Sequence, residues 1–283
     1  MTTGTRQTLA SRLLLDAGAT APQAAAIASE IRSGTVDDTT EPNVLGELVA
    51  VLRRLGDDVL TPRLKARAWL TSGRETVLVM IGGTSGTGKS TVSEEVARRL
   101  GIQRVVDTDV IREVMRSVIN PTLLPPLFTS TYGAAEKMRT NVGEQQVIRA
   151  FEQQVAVVQQ GVVAAMRRIR RERISAVFNG VHLVASLTDL SEFDDLPHLY
   201  HYVLTIGQAE AHRARFVARL AETGRGGQRY EDKLANIRLL DEYIRGASSG
   251  ATVVANEDLE TSVTTIVDDV VARSADSWAG FGD

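Results

Sequence analysis

The stretch VLVMIGGTSGTGKSTVSEEVARRL, residues 77–100, decides the fold class of this 283-residue chain. It opens on a run of apolar, β-branched residues, the composition of a strand buried on both faces. It closes on TVSEEVARRL, free of glycine and proline until Gly101, which reads as a helix with a glycine C-cap. Between them GTSGTGKS, Gly83 to Ser90, matches the spacing G-x-x-x-x-G-K-[ST] at every fixed position. The spacing has a physical basis. Glycines at 83, 86 and 88 let the backbone turn its N–H groups inward around phosphates, and the helix N-terminus adds its dipole. Lys89 is placed to reach a transferring phosphate, and the Ser90 hydroxyl to take a position on Mg²⁺. Thr84, Ser85, Thr87 and Thr91 complete the residues expected around the triphosphate. The loop says that a nucleotide is held; it does not say for what.

Bulk properties narrow the answer. A hydrophobic fraction of 43% and a charged fraction of 24% describe an ordinary globular protein. The net charge of -3 and a pI near 5.9 argue against a dedicated nucleic-acid binder. With no cysteine, disulfides, thiolate metal sites and cysteine nucleophiles are excluded. No run approaches 18 apolar residues and the amino terminus lacks a secretory core, so a cytoplasmic protein without membrane contact is expected. Lysine occurs only at 65, 89, 137 and 233, which makes Lys89 within the loop conspicuous.

Working outward, residues 6–72 show helical texture only. TLASRLLLDAG ends in Gly18; TAPQAAAIASEIRSG begins with Thr20 as N-cap and closes at Gly34; NVLGELVAVLRRLG and PRLKARAWLTSG add two more helices. A small all-helical domain is therefore expected over residues 1–73, an α/β domain over 74–274 and a loose tail over 275–283. In the α/β part, strand-like runs at 76–83, 102–109, 174–184, 199–206 and 251–257 alternate with helices, which predicts βαβ units and a five-stranded parallel sheet. Val147, Phe151, Val155, Val158, Val162, Met166 and Ile169 fall on one face of the longest helix, a core-packing stripe.

The use of the phosphate is suggested by VVDTDVIREVMRS. Asp107 and Asp109 close its strand, alternating so as to point to one side if the strand runs that far. Arg112 and Arg116, four apart, share one helical face. Carboxylates beside a phosphate loop can accept a hydroxyl proton, and arginines can grip an anionic substrate. Further on, AHRARFVAR places His212, Arg213, Arg215 and Arg219 within about two turns, a set able to close over a triphosphate. The cluster RRIRRER (167–173) sits at a helix end, where arginines complement the dipole and stay solvated. The four histidines are too scattered for a metal triad.

Taken in order, GGTSGTGKST, VVDTDVIREVMRS, FTSTYGA (128–134), NGVHLV (179–184), AHRARFVAR (211–219) and RYEDKLANIRLLDEYI (229–244) resemble the 2-phosphoglycerate kinase family, P-loop kinases of the nucleoside-monophosphate-kinase type. The resemblance covers about residues 75 to 257, and the amino-terminal helices resemble the helical part of an ATP-cone-like domain without the portion that would contact nucleotide. It implies Mg²⁺-dependent transfer of the γ-phosphate of ATP to a hydroxyl of a small anionic hydroxy acid, 2-phosphoglycerate or an analogue. By position it assigns Asp109 to the acceptor hydroxyl, Asp107 to Mg²⁺, and Arg112 and Arg116 to the acceptor's anionic groups. Ser130, Tyr132 and His182 would complete the acceptor pocket, Arg213 and Arg219 would close the lid, and Asn256 would meet the adenine. The chain departs from the family pattern at Asn179, where an acid is usual, and at Ala185, where proline is common. An amide can hold a metal or its water but cannot take a proton. A kinase for another hydroxyl compound, and a regulatory nucleotide binder without acceptor turnover, are the competing readings.

Overall fold

The computed structural model describes residues 2–31, 40–133, 143–223 and 233–280, without the side chains of residues 2–3 and 219–223. Five parallel strands, β1 (Leu78–Gly82), β2 (Arg104–Asp107), β3 (Ala176–Asn179), β4 (Leu199–Thr205) and β5 (Thr252–Ala255), form one sheet in the order β2-β3-β1-β4-β5. All pairings are parallel, and β1, the strand that leads into the glycine-rich loop, lies at the centre with every residue buried. The order steps from β1 to β3 on one side and to β4 on the other. The crevice beyond the carboxyl end of β1 is thus the place where a ligand fits such a sheet.

Helices cover both faces: α5 (Lys89–Leu100), α6 (Thr108–Val118), α7 (Glu144–Glu172), α8 (Ala209–Thr223), α9 (Leu234–Gly246), α10 (Leu259–Arg273) and the short α11 (Ala275–Trp278). The strands are shorter than the apolar runs suggest; β3 stops at Asn179 and β2 at Asp107. Thr108 already begins α6, with the Asp107 side chain accepting from the Asp109 N–H as its N-cap. The relation between Asp107 and Asp109 is therefore that of a cap to its helix, not of two alternate strand positions. The apolar stripe of α7 is buried as expected, and it carries two buried glutamines, Gln154 and Gln159.

Ahead of the sheet run α1 (Thr2–Asp16), α2 (Ala21–Ser29), α3 (Glu41–Leu55) and α4 (Leu60–Thr71). Thr20 caps α2 in a reciprocal box with Gln23, and Gly56, at φ 68°, ends α3. Gly34 lies outside the described residues. Leu13, Leu14, Ala24, Val44, Leu48 and Leu64 build a core shared by these four helices. Trp69 and Leu70 of α4, by contrast, belong to the core beneath the sheet, so the helices are docked rather than tethered. Arg67, 7% exposed, fastens the joint. Its Nη1 donates to the carbonyls of Arg98 (2.6 Å) and Arg99 (3.2 Å), the last turn of α5, while its Nε reaches Glu41 at 2.9 Å. A cation at a helix carboxyl end is favourable by about 0.3–1 kcal/mol when exposed and more when buried.

The carboxyl-terminal segment corrects an expectation. Residues 275–279 are not loose: Lys65 Nζ donates to the Ala279 carbonyl at 2.6 Å, and the Trp278 indole N–H to Val271 at 2.8 Å. Ser277 meets His198, which also meets Glu75 at 2.8 Å. The cause is long-range. Lys65 and Glu75 precede the tail by some two hundred residues, and nothing in its local composition reveals them.

Candidate active site

Residues 83–90 join β1 to α5, and the carbonyls along the loop are taken up one by one. Thr84 O accepts from Lys89 Nζ at 2.6 Å and from Thr87 Oγ1 at 2.9 Å. Ser85 O accepts from His212 Nε2 at 2.7 Å, and Thr87 O from Asn256 Nδ2 at 2.7 Å and Arg215 Nη1 at 3.2 Å. Gly86 and Gly88 stand at φ 83° and 85°, conformations that favour glycine. A Cβ on Gly86 would fall 2.6 Å from Phe216 Cζ, and one on Gly88 2.6 Å from Asn256 Nδ2. Thr84 turns away from the loop to Asp241 (3.0 Å), whose other oxygen accepts from Thr205 of β4 at 2.7 Å. With carbonyls and side chains held from behind, the loop presents N–H groups, the chemistry of an anion cradle.

In front of it opens a cavity of about 690 Å³, lined by Ser85, Gly86, Gly88, Lys89, Ser90 and Thr91 on the loop side and by Asp107, Asp109, Arg112, Ser130, Thr131 and Tyr132 opposite. The volume is within the range of small-ligand sites. Adjacent strand ends bring the two sides together: Asp107 pairs with Asn179, and Asn179 with Ile81, just before the loop. Ser90 and Asp107, a hydroxyl and a carboxylate, both open onto the cavity and suit a hard cation such as Mg²⁺. Asp107 Oδ1 is engaged by the Asp109 N–H at 2.6 Å, while its second oxygen has no partner among the described residues. Asp109 is well exposed to the cavity, 3.4 Å from Arg112 Nη2. The Arg112 guanidinium is mostly buried, and its Nε has no hydrogen-bond partner among the described residues.

Beneath the Asp109–Arg112 side lies a closed polar network. Gln154 Nε2 donates to Pro126 O at 2.8 Å, so its Oε1 is the acceptor for Thr131 Oγ1 (2.8 Å) and for His182 Nε2 (3.2 Å). His182 Nδ1 is then left to accept from Thr108 Oγ1 at 2.9 Å. One tautomer satisfies every member. His182 is completely buried, and desolvation, followed by the positive charges of Arg112 and Lys89, holds its pKa well below the ordinary value, so the ring is neutral.

No family model matches the chain. Among characterised proteins, 2-phosphoglycerate kinase of Pyrococcus furiosus is 34% identical over 71% of this chain and 66% of its own length, just under two thirds of that relative. The 2-phosphoglycerate kinase of Methanopyrus kandleri is 32% identical over 91% of this chain and 80% of its own. The chain belongs to the 2-phosphoglycerate kinase family. Its relatives are phosphotransferases named for a hydroxyl-bearing acceptor. Among solved structures, a gluconokinase from Sinorhizobium meliloti 1021 aligns with 72% of the chain and 96% of its own at 17% identity, with a TM-score of 0.37, a likeness too distant to bear on function.

Within this member of the 2-phosphoglycerate kinase family, several residues chosen from sequence sit elsewhere than the cavity wall. Arg116 is not among the residues that line the cavity: it shares Glu113 with Arg112, at 2.6 Å against 3.8 Å, and lies over the Phe128 ring at 5.3 Å. His182 is completely buried behind Thr108 and Gln154 and does not line the cavity. Asn256 is 2% exposed; its Nδ2 donates to the Thr87 carbonyl and its Oδ1 accepts from Ser262 at 2.9 Å, which braces the loop. Thr84 and Thr87 are equally buried supports, and Gly83 packs against Leu204. On α8, His212, Arg215 and Phe216 face the loop at the i, i+3, i+4 spacing, which turns Arg213 outward to solvent. The Arg219 side chain lies outside the described residues, as does Ala134 of the FTSTYGA block. Gln154, Thr131, Thr108 and Asp241 hold the cavity wall and the loop by hydrogen bonds that sequence reasoning missed. A signal was available: a glutamine on the buried stripe of an apolar helix needs a partner.

Proposed function

We propose that this chain transfers the γ-phosphate of ATP, with Mg²⁺, to a hydroxyl of 2-phosphoglycerate or a closely related anionic hydroxy acid. The observation that carries the reading is the single cavity in which the phosphate loop faces Asp109 and Arg112. The names of the relatives supply the acceptor class. Loop N–H groups and Lys89 hold the terminal phosphates and meet the charge that develops on the transferring group. Ser90 and Asp107 would hold a magnesium ion, which would supply charge neutralisation at the phosphate oxygens. Arg112 takes an anionic group of the acceptor, and Ser130 and Tyr132 flank it. Asp109 accepts the hydroxyl proton as the new oxygen–phosphorus bond forms, while the bond to the β-phosphate oxygen breaks and ADP leaves. Arg215 steadies the loop from α8. The chain divides near residue 73 into a helical unit without a nucleotide role and a catalytic unit reaching residue 274, in a cytoplasmic enzyme.

Asn179 gives a second reading its foothold. Buried, at the strand end beside Asp107, it provides no charge where the family commonly has an acid, which suits an acceptor other than 2-phosphoglycerate. Incubating the protein with MgATP and a panel of phosphorylated and unphosphorylated hydroxy acids, with product analysis, tests both readings. Acceptor-dependent ADP release with a bisphosphorylated product from 2-phosphoglycerate supports the first, and release with another acid alone supports the second. Acceptor-independent or absent turnover contradicts both.

A further inference from the structure

The face of α8 turned toward the loop carries a histidine whose environment is not that of a core residue. His212 is completely buried, stacked on Phe216 with ring centroids 5.2 Å apart at 21°, and its Nε2 lies 2.7 Å from the Ser85 carbonyl. A carbonyl only accepts, so Nε2 bears the proton and the ring is held in one tautomer. Its Nδ1 is buried without a hydrogen-bond partner among the described residues. Such a nitrogen is a standing cost that leucine or phenylalanine would not carry, so packing alone does not account for histidine at this position. Burial pushes the ring toward its neutral form, which keeps an uncompensated charge away from the loop.

The peptide that His212 engages is the one in the loop best able to turn over. Gly86 sits at φ 83° and, lacking Cβ, tolerates either sign of φ, so the Ser85–Gly86 peptide plane has two accessible orientations. In a trans peptide the carbonyl and the following N–H point in opposite directions. With the Ser85 carbonyl held toward α8, the Gly86 N–H faces the concave side of the loop. Turned over, it would present a carbonyl oxygen to a phosphate instead. Phe216 closes the space behind Gly86, where even a Cβ would come within 2.6 Å of the ring.

We propose that His212 is a positioning residue that latches the Ser85–Gly86 peptide in the orientation that binds the triphosphate. The proposal rests on the reading of residues 83–90 as the ATP site. It adds a hydrogen bond to the loop's own backbone to the part α8 already has in the site, where Arg215 and Phe216 line the cavity. The prediction is an effect on ATP and none on the acceptor.

The test uses the full chain with MgATP as probe, measuring the Kd of ATP by calorimetry and the KM of each substrate. His212→Phe keeps the stacking on Phe216 and removes the donor, His212→Gln restores an N–H donor, and Lys89→Ala reports on the site itself. The expected result is an ATP Kd and KM raised about tenfold in His212→Phe, largely recovered in His212→Gln, with the acceptor KM unchanged. If His212→Phe does not fold, His212→Asn, polar but too short to reach Ser85, replaces it with the same expectation. ATP binding at wild-type strength in the donor-less variant, while Lys89→Ala loses it, overturns the role of His212 and leaves the site standing. Undiminished binding in Lys89→Ala overturns the site and the latch together.

Discussion

The two sides of the cavity are built on different principles. On the phosphate side the groups offered to a ligand are backbone N–H donors; the side chains of His212, Asn256 and Thr84 hold the loop from behind, and Arg215, which reaches the Thr87 carbonyl, also lines the cavity. On the acceptor side the groups offered are side chains, Asp109 and Arg112, and the support is a buried network of Thr131, Gln154, His182 and Thr108. A backbone site is specified by glycines at fixed spacing and recognises any triphosphate. A side-chain site is specified by whichever neighbours the fold assembles, and on the function proposed above it is there that the acceptor is chosen.

Removing a group from each side should separate the two. Lys89→Ala is expected to have the largest effect, lowering kcat/KM by about a thousandfold or more, because it removes charge stabilisation at the transferring group. Retained turnover in that variant would erase the distinction between the sides. Asp109→Asn comes next: steady-state kinetics should show kcat down by at least about a hundredfold, with the calorimetric Kd of ATP unchanged. A matching loss of ATP affinity would make Asp109 part of the nucleotide site instead. Gln154→Leu tests the support beneath the acceptor. It strands His182 and the Thr131 hydroxyl, so denaturant titration should show about 1–3 kcal/mol less stability. The acceptor KM should rise severalfold and the ATP Kd stay put; the reverse pattern would mean that the network serves the loop.

The smallest effect on turnover is expected at His201, which lies in β4 away from the cavity. Burial lowers its pKa from 6.5 to about 4. Between those values the unfolded chain binds the proton and the folded chain does not, so this residue's contribution to stability falls as pH drops from 6.5 toward 4 and is level above. Replacing it with phenylalanine should flatten the profile, narrowing the stability lost between pH 7 and pH 5 by about 2 kcal/mol. An unchanged profile would show that His201 is not held neutral.

The difference between the two sides also explains what could be read in advance. Gly83 to Ser90 is a local pattern, and the strand before it and the helix after it confirm it within 24 residues. The parallel sheet and the stripe of α7 were legible for the same reason, since hydrophobic period is local. Arg116 lies off the cavity wall because spacing of four puts two residues on one helical face without saying where that face turns from cavity to neighbour; the Phe128 ring under Arg116 marks the turn. His182 and Asn256 were placed at the surface of the site because their partners stand far off in sequence. Thr108 is 74 residues from His182, and Thr87 is 169 from Asn256. Lys65 and the carboxyl-terminal turn repeat the case on the far side of the molecule.

The claim at the centre is that the cavity joins a nucleotide on its loop side to a small anionic acceptor on the Asp109–Arg112 side. Following [γ-³²P]ATP with 2-phosphoglycerate, and comparing wild type with Arg112→Ala, tests it most directly. A labelled bisphosphorylated acid is expected from the wild type, and in Arg112→Ala a KM for 2-phosphoglycerate raised at least about tenfold with the KM for ATP unchanged. Label released only as inorganic phosphate, or an Arg112→Ala variant that handles 2-phosphoglycerate as the wild type does, would contradict it.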